Sequence, residues 1–219
     1  PSALAALRGL LAAELALRAL AIDAARAELE RAAAAARRTG IAALAAEVET
    51  LRAALTAPAA RCVERGERRA LGLAEIESLR SQDVLVVDAC RRSLRVGATE
   101  RSLARRPLLF ALARSLASAW PEAVTREQLI EDVFHLRRPD DSHRARLRVE
   151  LGRLRRVLAP LAAIEATAEG FRLQAPQREG VRLLLPPLDG DGAELLALLA
   201  DGAPWSTSAL ALALGTSQR

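Results

Sequence analysis

The stretch SHRARLRVELGRLRRVL, residues 142–158, carries six arginines and one glutamate. Its balance of +5 equals the formal net charge of the whole 219-residue chain. Leu147, Leu151, Leu154 and Leu158 recur every three or four residues within it, the spacing of one buried stripe on an α-helix. At about 100° per residue the far side carries Ala145, Val149, Gly152 and Arg156. Arg146 and Arg153 border that crest on one edge, and Arg144, Arg148 and Arg155 border it on the other. Asp140, Asp141 or Ser142 can cap the start, where acids also suit the positive end of the helix dipole. Glycine costs a helix about 1 kcal/mol relative to alanine, so Gly152 fits a surface that something approaches closely.

A low ridge with cations along both margins suits the major groove of B-form DNA, the margins facing the two phosphate backbones. A merely solvated face usually mixes both signs to gain i,i+4 pairs, and six against one is a different pattern. Arginine identity alone carries less weight here. Lysine, asparagine, methionine and tyrosine are all absent while arginine, alanine and leucine abound, the bias of a GC-rich bacterial genome. Position says more: residues 81–178 hold 18 arginines against 12 acids, whereas residues 179–219 hold 2 against 5. The middle of the chain is the basic part.

Around the arginine helix the pattern is mixed. DVLVVDA from Asp83, then RSLRVG and ERSLA, predict three short strands separated by turn residues. RPLLFALARSLASAW predicts a helix with Leu108, Leu109, Leu112, Leu116 and Ala119 on one face. TREQLIEDVF opens with a capping box, Thr125 as cap and Gln128 reaching back, and buries Leu129, Ile130, Val133 and Phe134. HLRRPDD is a loop, and IEATAEGFRL predicts a β-hairpin about Glu169-Gly170.

This order of elements resembles the winged helix of OmpR/PhoB-type transcription regulators, over roughly residues 83–174. VTREQLIEDVF is similar to that family's second helix, LRVELGRLRRVLAP to its recognition helix, and IEATAEGFRL to its strand-wing-strand ending. The resemblance implies a third helix in the major groove and a hairpin near the adjacent minor groove. By that likeness Arg146, Arg148 and Arg153 are the leading DNA contacts, with Arg144, Arg155 and Arg156 beside them. Thr125, Arg126, His143 and Arg172 are further candidates. The family's wing carries a basic residue where this chain has Thr167, Ala168 and Glu169, which weakens a minor-groove contact. Nothing upstream resembles a phospho-acceptor domain.

The flanks are helical. Residues 1–57 read as helices almost without a break, Asp23 capping the second and Gly40 ending it. LAAELALRAL (11–20) and LAAEVETLRA (44–53) lie 33 apart, close to the period of tetratricopeptide hairpins. A short stack of that kind needs further repeats, a cap or a partner to hide its ends. Residues 58–82 read as a linker with a short helix near 73–80. Residues 177–219 predict a strand, a helix at 193–200 and a second helix capped at Ser206 or Thr207. That pattern resembles a helix-turn-helix stopping where its recognition helix should begin, at Gln218 and Arg219.

Other classes are disfavoured. No apolar run is long enough for a membrane span, and the start does not read as a secretory signal. Pro1 in place of methionine reads as a processed chain or a fragment. Cys62 and Cys90 are too few and too far apart for a disulfide framework or a zinc knuckle, as in a reduced cytoplasmic protein. His135 and His143 have no third ligand at metal spacing. RVGATE and DGDG lack the glycines and lysine of a phosphate loop, and no serine sits in a nucleophile motif. No metal, cofactor or catalytic residue is expected.

The sequence therefore predicts a mainly α chain with small β-sheets (α+β): helical hairpins (1–57), a linker (58–82), a winged helix (83–176) and a partial helix-turn-helix (177–219). The expected role is a cytoplasmic regulator that binds double-stranded DNA, with a protein partner or second copy held by the N-terminal helices. The alternative is a helical-repeat interaction protein whose winged helix does not bind DNA.

Overall fold

The structure, a computed structural model, describes residues 2–134, 140–159, 161–175, 180–187, 195, 199 and 206–214. It is a mixed α+β chain in two compact units, Pro1–Ala59 with Leu71–Ser78, and Ala60–Ala70 with Leu79–Arg219.

The first unit holds α1 (Ser2–Arg18), α2 (Ile22–Thr39) and α3 (Ala42–Thr56). Small residues set the approach of α1 to α2. A Cβ on Gly9 would lie 2.9 Å from the Cβ of Ala32, too close for any larger side chain to be accommodated without a shift. Ala6, Leu10 and Ala13 share a buried cluster with Leu29, Ala32, Ala36, Leu44 and Val48. Gly40 ends α2 in the left-handed region at φ 66°, as its position predicts. Asp23 is not the cap of α2. Ala21 stands at that position without a side-chain cap, and Asp23 lies in the first turn, 3.5 Å from Arg26. The Ile22 amide instead donates to Glu77 at 3.2 Å. Glu77 belongs to the expected short helix, α4 (Leu73–Leu79).

Along the second unit run β1 (Ala60–Glu64), β2 (Glu67–Leu71), β3 (Leu85–Asp88), β4 (Ser93–Val96) and β5 (Thr99–Ser102). There follow α5 (Pro107–Ala119), β6 (Val124–Thr125), α6 (Arg126–Phe134) and α7 (Asp141–Leu158). β7 (Ala163–Ala166), β8 (Gly170–Gln174), β9 (Val181–Leu185) and α8 (Thr207–Leu214) complete the described residues. Six strands form one sheet in the order β2-β1-β9-β3-β4-β5. β9 lies antiparallel to β1, with Cys62 opposite Leu184, and parallel to β3, with Val86 opposite Arg182.

Two expected boundaries are therefore corrected. Residues 58–82 are not a linker, because β1 and β2 form a hairpin whose two-residue turn, Arg65-Gly66, takes φ 49° and 83°. Both angles are positive, the requirement of the type I′ turn that matches strand twist, and glycine meets it without strain. Residue 177 does not begin a separate unit either, since β9 is an inner strand of the sheet that also holds β3.

α5 supplies the centre of the core. Leu109, Leu112 and Leu116 lie with Leu129, Ile130 and Val133 of α6 and with the leucine seam of α7 in one buried cluster. A second sheet, β6-β8-β7, closes the far end of that cluster. Ile164 is opposite Leu173 across the expected hairpin. Gly170 is required by the strand beside it: a Cβ there would stand 2.0 Å from the Val124 carbonyl oxygen.

α8 starts at Ser206, whose hydroxyl accepts the Ala209 amide at 3.1 Å, as expected of a cap. The expected helix at 193–200 is described only at residues 195 and 199. His135, Gln218 and Arg219 lie outside the described residues. Among the described residues no helix is long and apolar enough to cross a membrane.

Candidate nucleic-acid interface

α7 begins at a reciprocal cap. Asp140 is extended at φ −110°, ψ −177°, and its carboxylate accepts from the Ser142 hydroxyl at 2.7 Å and the His143 amide at 3.0 Å. The Asp140 amide donates back to Nδ1 of His143 at 3.3 Å. This is a capping box with histidine in the place usually held by glutamate. The Ser142 hydroxyl, followed by the His143 amide, holds the Asp140 carboxyl down at about 2. His143 is thus engaged by the helix start.

The seam is as the spacing predicts. Leu147, Leu151, Leu154 and Leu158 are all buried, which fixes the rotation of the helix and turns the opposite side to solvent. On that side Val149 is 54% exposed. A Cβ on Gly152 would meet nothing within 4 Å, so no neighbour among the described residues requires glycine there.

The six arginines divide by what already holds them. Arg144 is paired with Asp141 at 3.3 Å and Glu127 at 3.8 Å. Arg153 is paired with Glu150 at 2.8 Å. Arg155 donates to the Ile164 carbonyl at 3.2 Å and lies 5.7 Å from the Phe171 ring, so it ties the helix to β7 and β8. The other three have no acid partner among the described residues. Arg148 is exposed and makes no ion pair or hydrogen bond among the described residues. Arg146 stacks on Phe134 at 4.8 Å while remaining exposed. Among the described residues Arg156 reaches only a carbonyl of its own helix, Gly152, at 3.4 Å.

The secondary candidates also sort. Thr125 and Gln128 cap α6 reciprocally, at 3.2 and 3.3 Å. Arg126 lies over Phe171 at 5.2 Å. Arg172 pairs with Glu165 across the hairpin at 2.8 Å. The hairpin turn is tight, Thr167 and Gly170 bonding each other twice at 3.0 Å. Its tip offers Glu169 and no basic side chain.

The residues that sequence reasoning missed are aromatic. Phe134 and Phe171 are platforms that hold Arg146, Arg126 and Arg155 by cation–π attraction. Phe110, the remaining phenylalanine of the chain, holds Arg92 at 5.5 Å. Three phenylalanines among 32 arginines were a signal that each ring would have a guanidinium close by. Glu150 was also passed over: it is 7% exposed, and its carboxylate orients Arg153.

Among the described residues no group of three or more histidine, cysteine or acidic side chains could hold a metal ion. No protein-family model, curated protein or solved structure matches the chain.

Proposed function

We propose that this chain is a cytoplasmic transcription regulator whose second unit binds double-stranded DNA sequence-specifically through α7. One observation carries the reading: α7 has an open crest of Ala145, Val149, Gly152 and Arg156, bordered by Arg146 and Arg148, and none of these three arginines is neutralised by an acid among the described residues. Apolar groups on such a crest suit thymine methyls, and the guanidinium groups suit guanine edges or phosphates. The order α5, β6, α6, α7, β7, β8 supports a winged-helix reading of the surrounding elements. The acidic hairpin tip gives the wing a lesser part, so α7 supplies most of the affinity.

Fluorescence anisotropy with a labelled duplex tests this directly. Three uncommitted arginines imply a log–log salt slope of about −3. Replacing Arg148 and Arg156 together by alanine should weaken binding roughly 10- to 100-fold without altering the circular dichroism spectrum. A folded double variant that binds as tightly as the unchanged chain overturns the assignment.

The first unit has a different character. Leu4, Leu7, Leu11 and Leu15 are 53–73% exposed along one side of α1. An apolar stripe of this length supports the reading that the N-terminal helices meet a protein partner or a second copy.

A further inference from the structure

Between the start of α5 and α7 lies a cavity of about 630 Å³, within the range of about 300–1,000 Å³ typical of small-molecule sites. Arg106, Arg153 and Arg156 line it, with Glu150 as the only acid on its wall among the described residues. Pro107, Leu108 and Val157 give it an apolar side. No side chain caps α5, whose first turn forms part of the wall, so the orphan amides of that turn add to the positive potential. Glu150 offsets one of the three cations through its 2.8 Å pair with Arg153, which leaves an excess of positive charge beside an apolar wall.

We propose that this cavity binds a small organic anion: a carboxylate or phosphate head between Arg106, Arg153 and Arg156, and an apolar body against Pro107, Leu108 and Val157. Charge complementarity selects the head, since a neutral molecule would leave the positive excess of the wall uncompensated. Arg153 also borders the outward crest of α7, and Arg156 is part of it. An anion in the cavity draws both guanidinium groups toward α5, so ligand and duplex compete for them. The competition rests on the DNA-binding reading above; the binding of the anion does not.

Titration calorimetry of the full chain with octanoate, octyl phosphate and 1-octanol separates head from body. Either anion should bind measurably and the alcohol about tenfold or more weaker. Arg106→Glu, an exposed position outside the crest, should abolish anion binding in a chain that keeps its spectrum and melting point. No heat from either anion, or equal affinity for the alcohol, overturns the site. Saturating octyl phosphate should then weaken duplex binding severalfold in the unchanged chain and leave it unchanged in Arg106→Glu. If the anion binds but duplex affinity does not move, the competition is wrong. If Arg106→Glu weakens duplex binding about tenfold with no ligand present, the cavity is a phosphate-backbone contact and the small-ligand assignment fails. A chain that binds the anions and no duplex refutes the DNA reading alone.

Discussion

The side of α1 left in water is a row of four leucines, and the side of α7 left in water carries a valine, a glycine and three arginines without acid partners among the described residues. Both helices bury one face by the same means, apolar residues at three- and four-residue spacing. What they expose sets the kind of surface each can meet. The charges beside the α1 leucines are partly satisfied within the helix, Arg18 bonding Glu14 at 2.6 Å, so the leucines are the dominant unpaired feature. On α7 the apolar part is small and the unpaired feature is positive charge. A leucine row gains by excluding water against another apolar surface. Uncompensated guanidinium groups gain by releasing counterions from a phosphate backbone.

Truncation at the two leucine rows puts that contrast to its strongest test. Leu151 is fully buried in the seam, whereas Leu11 is 59% exposed. Leu151→Ala should cost about 3 kcal/mol in urea denaturation, and Leu11→Ala should stay within about 0.5 kcal/mol of the unchanged chain. Equal losses would mean that the α1 row is core.

Gly152→Ala sharpens the α7 side. The open space around Gly152 lets the helix gain up to about 1 kcal/mol in stability, while a methyl on the crest should weaken duplex binding. Gain of stability with unchanged affinity would remove the crest from the interface.

The smallest effect concerns the start of α7. The Asp140 carboxyl is held down at about 2, below its ordinary value, so its contribution is complete above about pH 4 and is lost as the pH falls through 2. Thermal melts should show Asp140→Ala less stable than the unchanged chain at pH 6, with the gap closing toward pH 2. A gap independent of pH would mean that the carboxylate does not cap the helix.

Much of this was legible because it is local. The leucine seam of α7, the Thr125–Gln128 box, the hairpin about Gly170 and the Gly40 stop all depend on residues within a few positions of one another. The hairpin of β1 and β2 was hidden by its turn: Arg65 takes the left-handed conformation where asparagine is the usual sign, inside a run of charges that reads as solvated. The pairing of β9 with β3 joins residues about a hundred apart, and no local pattern records it. In the site, the positions of the arginines followed from helical periodicity. Their partners did not, because the Ile164 carbonyl and the rings of Phe134 and Phe171 come from other elements.

The position of β9 governs the order in which this protein can be assembled. This inner strand is made about a hundred residues after β3, so β1 and β3 wait with open edges until residue 185 has emerged, a long-range closure of the kind that slows folding and invites mispairing. A fragment ending at residue 176 would keep the whole of α7 and still lose the strand that joins the two halves of its sheet. Any piece meant to present the arginine helix on a closed sheet therefore has to include both Ala60–Glu64 and Val181–Leu185.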